Sequence, residues 1–290
     1  MIRNNSSKLI PPLILAGLIF PIFTAVAQTA SISLFPMQII QGEPIMVTLE
    51  GVTSVSPVKS MYFDGAPLDF FLYQNKVAAL VGVDINKKPG TYKISAKLSD
   101  GQVLTKDVTV NKRPKVEAPL DIPEKLGGNT TTSQKTLITT LANENASLAN
   151  IRTGTKSFWT EKFRWPLKEI IVTDPYGYSR QTGAYSIAHK GTDFRAKEGT
   201  PVTALNRGVV RVAKTYRNYG KTIVVDHGLG LMSFYMHLSK IKVSVGELVK
   251  PGQLIGLSGQ TGYAEKPHLH LTVRINGSSI DPMKFFDLFR

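Results

Sequence analysis

The 290-residue chain contains no cysteine, so neither disulfide bridges nor thiol catalysis enters its chemistry, although an exported protein could have used both. It has no basic run longer than a pair such as Lys112-Arg113, and it shows neither a zinc finger nor an RNA-binding signature. A nucleic-acid function would therefore rest on bulk charge alone. Acidic residues are in deficit, 21 against 35 Lys and Arg, for a formal charge of +14 at pH 7. Such an excess attracts polyanions. Nucleic acid, an anionic membrane surface and an anionic cell wall all qualify, and the missing motifs set nucleic acid aside. Histidine is absent from the first 188 residues, so any chemistry that needs imidazole belongs to the remainder.

Long apolar runs are also scarce, with one exception at the start. Arg3 and Lys8 form a positive n-region without an acid, 9–26 is almost wholly apolar, and Ala25-Val26-Ala27 is a small-x-small cleavage site. This pattern predicts a signal peptide over 1–27 that leaves Gln28 first after removal. The alternative is an uncleaved signal anchor, since the apolar stretch approaches the roughly 20 residues of a spanning helix. Pro11, Pro12 and Pro21 weigh against that helix. Export to the periplasm or cell envelope is expected, with membrane contact only transient, through the leader.

From 28 to 111 the chain predicts a small β-sandwich of immunoglobulin type. In Tyr92-Lys93-Ile94-Ser95-Ala96-Lys97-Leu98, period-2 alternation puts Tyr92, Ile94, Ala96 and Leu98 on one face. Pro89-Gly90 and Asp100-Gly101 bracket the strand as turns. Stretches 47–49, 77–83 and 104–110 supply further strands. A proline- and glycine-marked linker follows over 112–157. Within it Leu137, Leu141, Glu144, Leu148 and Ile151 recur at three- and four-residue intervals, which predicts a helix over about 133–152. Its apolar stripe requires a partner surface. From 158 to 290 short strands punctuated by glycine predict an antiparallel β domain, with strands at 201–212, 222–226, 231–237, 254–257 and 268–275. The segment Asp226-His227-Gly228-Leu229-Gly230 reads as a turn, and Asp281-Pro282-Met283 as the start of a short terminal helix. The fold class is all-β, two β domains joined by a linker with one helix.

All five histidines fall between 189 and 270. In His268-Leu269-His270-Leu271-Thr272-Val273-Arg274, strand periodicity sends His268, His270, Thr272 and Arg274 to one face and the apolar residues to the other. In His189-Lys190-Gly191-Thr192-Asp193 the glycine argues for a loop entering a strand, not a helix with His and Asp at i, i+4. Imidazole and carboxylate are zinc donors, and a catalytic zinc typically keeps about three protein ligands and an exchangeable water. At this level His189, Asp193, His237, His268 and His270 are all candidates. His227 reads as a turn or surface residue with no role. Taken singly, an HxH pair is suggestive and the Asp193 carboxylate says nothing; together they are much less a matter of chance.

The segment 189–282 resembles the lysostaphin/LytM-type metallopeptidases, peptidase family M23. The matching motifs are His189-Lys190-Gly191-Thr192-Asp193-Phe194, Tyr219-Gly220-Lys221-Thr222-Ile223-Val224-Val225-Asp226-His227-Gly228, and Tyr235-Met236-His237-Leu238-Ser239. They continue through Val249-Lys250-Pro251-Gly252, Gly259-Gln260-Thr261-Gly262 and Pro267-His268-Leu269-His270 to Val273-Arg274-Ile275-Asn276-Gly277. The resemblance implies one zinc ion (Zn2+) per chain on His189, Asp193 and His270, with His237 and His268 as catalytic residues that do not bind it. It implies hydrolysis of peptide bonds in peptidoglycan cross-links or stem peptides. With no HExxH helix to supply a glutamate base, a histidine takes that part. Two local departures stand out: Tyr263-Ala264-Glu265-Lys266 replaces the family's small residues before Pro-His-Leu-His, and Leu271 stands where phenylalanine is common. Expected partners are peptidoglycan peptides and a regulatory envelope protein, with no nucleic acid and with oligomeric state open. The rival function is a non-enzymatic envelope protein that binds peptidoglycan or activates a partner hydrolase.

Overall fold

Alternating residues in the first third of the chain sort into two sheets. The computed structural model describes Met1 and residues 29–159 and 161–289; apart from Met1, the expected leader lies outside the described residues. Strands β1 (Ser31–Phe35), β2 (Gln38–Ile40), β3 (Pro44–Glu50), β4 (Val58–Phe63), β5 (Ala66–Leu68), β6 (Phe70–Tyr73), β7 (Lys76–Gly82), β8 (Gly90–Leu98) and β9 (Val103–Asn111) come first. They form one sheet ordered β1-β3-β7-β6 and a second ordered β2-β9-β8-β4-β5. Ile45, Val47 and Leu49 of β3 and Val77, Ala79 and Val81 of β7 meet Ile94, Ala96 and Leu98 of β8 between the sheets.

β7 does not alternate, since Val77-Ala78-Ala79-Leu80-Val81 is buried on both faces. Its second face, Ala78 and Leu80, packs with Met46 and Phe71 into the core of the C-terminal half. Trp159 stands edge-on to Phe71 and Phe289 there, at centroid separations of 4.9 and 5.4 Å. Polar contacts close the rim: the Asp281 N–H donates to the Gly42 carbonyl at 2.7 Å, and Arg113 faces the Asp281 carboxylate at 3.7 Å. The sandwich is therefore docked along a continuous apolar seam.

The connecting segment runs through β10 (Glu117–Pro119) to helix α1 (Thr131–Ala149). Thr130 accepts the Ser133 N–H as N-cap, so the helix starts slightly before the position its apolar spacing indicates, and Asn150 ends it slightly early. Then come β11 (Val172–Asp174), β12 (Ser179–Thr182), β13 (Tyr185–Ala188), β14 (Thr192–Arg195), β15 (Pro201–Thr203), β16 (Gly208–Tyr216), β17 (Gly220–Gly228) and β18 (Leu231–Leu238). β19 (Lys240–Ile241), β20 (Leu248–Val249), β21 (Leu254–Leu257), β22 (His268–Ile275), β23 (Ser278–Ile280) and α2 (Pro282–Asp287) complete the chain. The main sheet is ordered β11-β14-β22-β18-β17-β16-β20, with β23 on β22. As the alternation of β22 predicts, Leu269, Leu271 and Val273 enter the core, with Phe194, Tyr235 and Phe285.

Two local readings change. The run 201–212 is two strands, β15 and the first half of β16, because Asn206 breaks it. The Asn206 side chain donates to the Glu161 carbonyl and accepts the Arg207 N–H. The β17–β18 turn is only Leu229-Gly230, at φ 52° and 76°, a two-residue hairpin loop that needs both positions left-handed. His227 thereby lies inside β17, fully buried, one ring nitrogen donating to the Arg207 carbonyl and the other facing Ser233 Oγ. No helix among the described residues is long and apolar enough to cross a membrane.

Trp159→Ala should lower stability by about 3–5 kcal/mol through the cavity it leaves in the seam, read from the denaturant midpoint at unchanged slope. Burial pushes the His227 pKa down to about 4 from 6.5, against a smaller opposing effect of the Arg207 carbonyl. The unfolded chain then binds the extra proton between those values, so stability falls with acidification through that window by about 3 kcal/mol and is unaffected above it. His227→Gln should flatten the stability–pH curve between about pH 6.5 and 4.

Candidate metal centre

The antiparallel register of β14 on β22 places Asp193 directly opposite His270, and β18 on the other side of β22 sets Met236 opposite the same residue. His189 approaches from the loop that enters β14. Gly191 allows this approach, because a Cβ there would fall on the His270 ring. His237, the last residue but one of β18, has φ 61°, a left-handed backbone uncommon for a residue other than glycine. This conformation is held by the His237 N–H donating to the Tyr219 carbonyl at 3.0 Å. All five candidate residues converge: ring centroids lie 4.9 Å apart for His189–His270 and His237–His268, and 5.9 Å for His237–His270.

The hydrogen bonds decide which nitrogen each ring presents. A carbonyl can only accept, so His189 Nδ1–H donates to the Pro175 carbonyl at 2.9 Å and leaves Nε2 bare. His237 Nδ1–H donates to the Thr261 carbonyl at 2.9 Å and His268 Nδ1–H to the Lys266 carbonyl at 2.8 Å, again leaving Nε2 bare. His270 is reversed. The Thr272 hydroxyl donates to the Lys190 carbonyl at 3.0 Å, so it accepts from His270 Nε2–H at 3.0 Å and frees Nδ1. The free nitrogens of His189, His268 and His270 therefore lie within 4 Å of the Asp193 carboxylate.

His189 Nε2, His270 Nδ1 and Asp193 Oδ1 are mutually separated by 3.1, 2.7 and 3.3 Å. Tetrahedral bonds of about 2.0–2.1 Å set zinc ligand atoms about 3.3 Å apart, so these donors fit such an ion. The three residues are the His/Asp group whose ligand atoms cluster within 4.8 Å among the described residues. His268 Nε2 stands back at 3.7 Å from Asp193 Oδ1. Burial alone would raise the Asp193 carboxyl, but the positive charge of the facing His189 and His270 rings, when protonated at the low pH where a carboxyl titrates, outweighs it and puts the carboxyl well below the usual carboxylate range. Burial lowers His270 to about 4 against the pull of Asp193, and burial, helped by His268 and His270, holds His237 well below the ordinary imidazole value. Both rings are neutral at pH 7, the form in which nitrogen can bind metal or accept a proton.

Residues 187–282 match the model of peptidase family M23. His189, Asp193, His237, His268 and His270 all lie inside the matched segment. An uncharacterized metalloprotease of Haemophilus influenzae is 40% identical over 125 residues, which cover 41% of this chain and 26% of that protein. The peptidoglycan DD-endopeptidase ShyA of Vibrio cholerae is 44% identical over 96 residues, 33% of this chain and 22% of that protein. The chain thus spans about a quarter of the length of these curated relatives. A crystal structure from Pseudomonas aeruginosa, assigned to peptidase M23, is 26% identical, with a TM-score of 0.61, and covers 87% of this chain and 96% of that one. That overlap reaches well beyond the M23 segment into the sandwich.

Two features of this site were not fixed by the sequence: the cation behind Asp193 and the surface that the predicted helix covers. Arg180, on β12, donates to Asp193 Oδ2 at 2.6 Å and to the Asp174 carboxylate, so a guanidinium orients the carboxylate from behind. Nothing in Tyr178-Ser179-Arg180 marks it, since only folding brings β12 beside β14. The second is α1, which lies across the cleft. A cavity of about 570 Å³ separates Leu137, Leu141 and Asn145 on its underside from His189, His237 and His270. Arg180→Ala should weaken zinc retention about 10–100-fold, measured by competition with a chromophoric chelator, while the circular dichroism spectrum is unchanged.

Proposed function

We propose that the chain is an exported, zinc-dependent endopeptidase that hydrolyses peptide bonds in the cross-links or stem peptides of peptidoglycan. The observation that carries the reading is the set of four clustered imidazoles, each with one nitrogen tied to a carbonyl or hydroxyl and the other free, three of them within 4 Å of Asp193. His189 Nε2, Asp193 Oδ1 and His270 Nδ1 are the ligands in this reading. Zinc, when bound, supplies Lewis acidity toward the scissile carbonyl and brings a water's pKa down toward about 7. His268 and His237 start as bases at Nε2, because Nδ1–H of each is committed to a carbonyl. His268, the more exposed of the two, accepts the proton of the attacking water. His237 steadies the developing oxyanion or passes a proton to the leaving nitrogen once it has taken one up.

In this reading 28–111 is an immunoglobulin-like module, 112–157 the linker and 158–290 the catalytic domain. The relative named a peptidoglycan DD-endopeptidase supports the substrate class. The basic excess of the C-terminal domain, 19 against 10 from 158 to 290, supports approach to stem-peptide carboxylates without help from the sandwich. A regulatory envelope protein is the partner class suited to drawing α1 from the cleft. A non-enzymatic wall-binding role is disfavoured, because such a protein has no use for a complete donor set with its proton-transfer groups.

The purified chain should hold about one zinc and release new amines from cross-linked peptidoglycan, and a chelator should abolish the release. His268→Ala should keep its zinc while turnover falls about 10²–10⁴-fold; His270→Ala should lose the metal itself. A folded, zinc-loaded chain that releases no amines from cross-linked peptidoglycan would sink the reading.

A further inference from the structure

The underside of α1 carries an acid where its stripe would otherwise be apolar. Glu144 is 8% exposed, between the turns that carry Leu137 and Leu148, and no Lys, Arg or His pairs with it among the described residues. Its carboxylate accepts main-chain hydrogen bonds from Asn218 N–H, at 3.0 Å to Oε1 and 3.2 Å to Oε2, and from Tyr219 N–H at 3.4 Å. Burying a carboxylate without a cation is unfavourable unless donors replace its water. Two successive main-chain N–H groups aimed at one point form such an anion nest. A leucine would have served a purely packing role at this position.

The nest belongs to the cleft. Asn218 and Tyr219 line the cavity that His189, His237 and His270 line, and the Tyr219 carbonyl accepts from the His237 N–H. The occupant is weakly held by its own helix. Thr136, Thr139 and Thr140 turn their hydroxyls back on carbonyls one turn earlier, and the helix has no acid in its first turn and no base in its last. Such a sequence has low intrinsic helicity. α1 keeps its place through its anchors: Glu144 on the nest, Leu148 in the cluster of Val224, Phe234 and Met236, and the Arg274 guanidinium on the Leu148 carbonyl at 3.2 Å.

We propose that the Asn218 and Tyr219 N–H groups are a carboxylate subsite of the cleft, filled here by Glu144 and taken over by a free carboxylate of the peptide substrate. The identity of that carboxylate rests on the peptidoglycan reading above; the subsite itself does not. Substrate and helix then compete for one anion position, so a peptide with a free carboxylate displaces α1 where its amide cannot.

The test titrates full-length zinc-loaded chain with acetyl-D-alanyl-D-alanine and with its C-terminal amide, following main-chain amide resonances by NMR. Glu144→Ala and Glu144→Gln should each bind the acid about tenfold or more tighter than the parent chain, and prefer acid to amide by a similar factor. The Asn218 and Tyr219 amide resonances should move with the acid. The proposal is overturned if either variant, with a native dispersed spectrum, binds acid and amide alike, or if the acid leaves the Asn218 and Tyr219 amide resonances in place while it moves those of His189, His237, His268 and His270. Because the readout is binding, a chain inert toward peptidoglycan that still showed these shifts would sink the peptidase reading and leave the subsite standing.

Discussion

The site depends on the register of one strand pair. Asp193 faces His270 across the β14–β22 ladder, and because side chains alternate faces, a slip of β22 by one residue would send His270 into the core and bring Leu269 or Leu271 into the cleft opposite Asp193. The buried row Leu269, Leu271 and Val273 prevents that slip, since exposing three apolar side chains would cost several kcal/mol. The core that stabilises the domain therefore also aims the metal donors. Tautomer control adds a second level: Pro175, Thr261 and Lys266 each supply a carbonyl, and Thr272 a hydroxyl, that commit one nitrogen of each ring and leave the other free.

The rest of the chain acts on that centre from outside. The sandwich docks through β7, whose two buried faces join one core to the next. The connection from the sandwich to the C-terminal sheet does not take the short way. It pairs β10 with β12 in parallel, then crosses the cleft as α1. β12 carries Arg180, so the strand that steadies the carboxylate is also the rim on which the linker is laid. The helix shields apolar residues of the sheet, notably Phe234 and Met236, that an open cleft would leave in water. Its presence there follows from packing as much as from any control of access.

Much of the centre was legible in the residues themselves. Period-2 alternation in β22 separated cleft from core correctly, and Gly191 marked the loop that brings His189 beside Asp193. The spacing of Leu137, Leu141, Glu144 and Leu148 showed that the helix needed a partner. It could not show that the partner was the cleft, nor that Glu144 in the stripe meant a pair of main-chain N–H groups. Arg180 was invisible for the same reason. His227 was misread because a glycine-rich stretch resembles a turn, whereas β17 continues through it and only Leu229-Gly230 reverses the chain.

The sequence by itself determined the all-β class, the residue types at the centre and their division between cleft and core. Those are local properties, set by side-chain period, by turn chemistry and by donor identity. Only the tertiary structure decided which nitrogen of each imidazole is free, what stands behind Asp193, and what covers the cleft. Each of these depends on groups far apart along the chain: Thr261 beside His237, Arg180 beside Asp193, Glu144 on Asn218. No periodicity within one segment encodes a contact that two separately folded segments make when their surfaces meet.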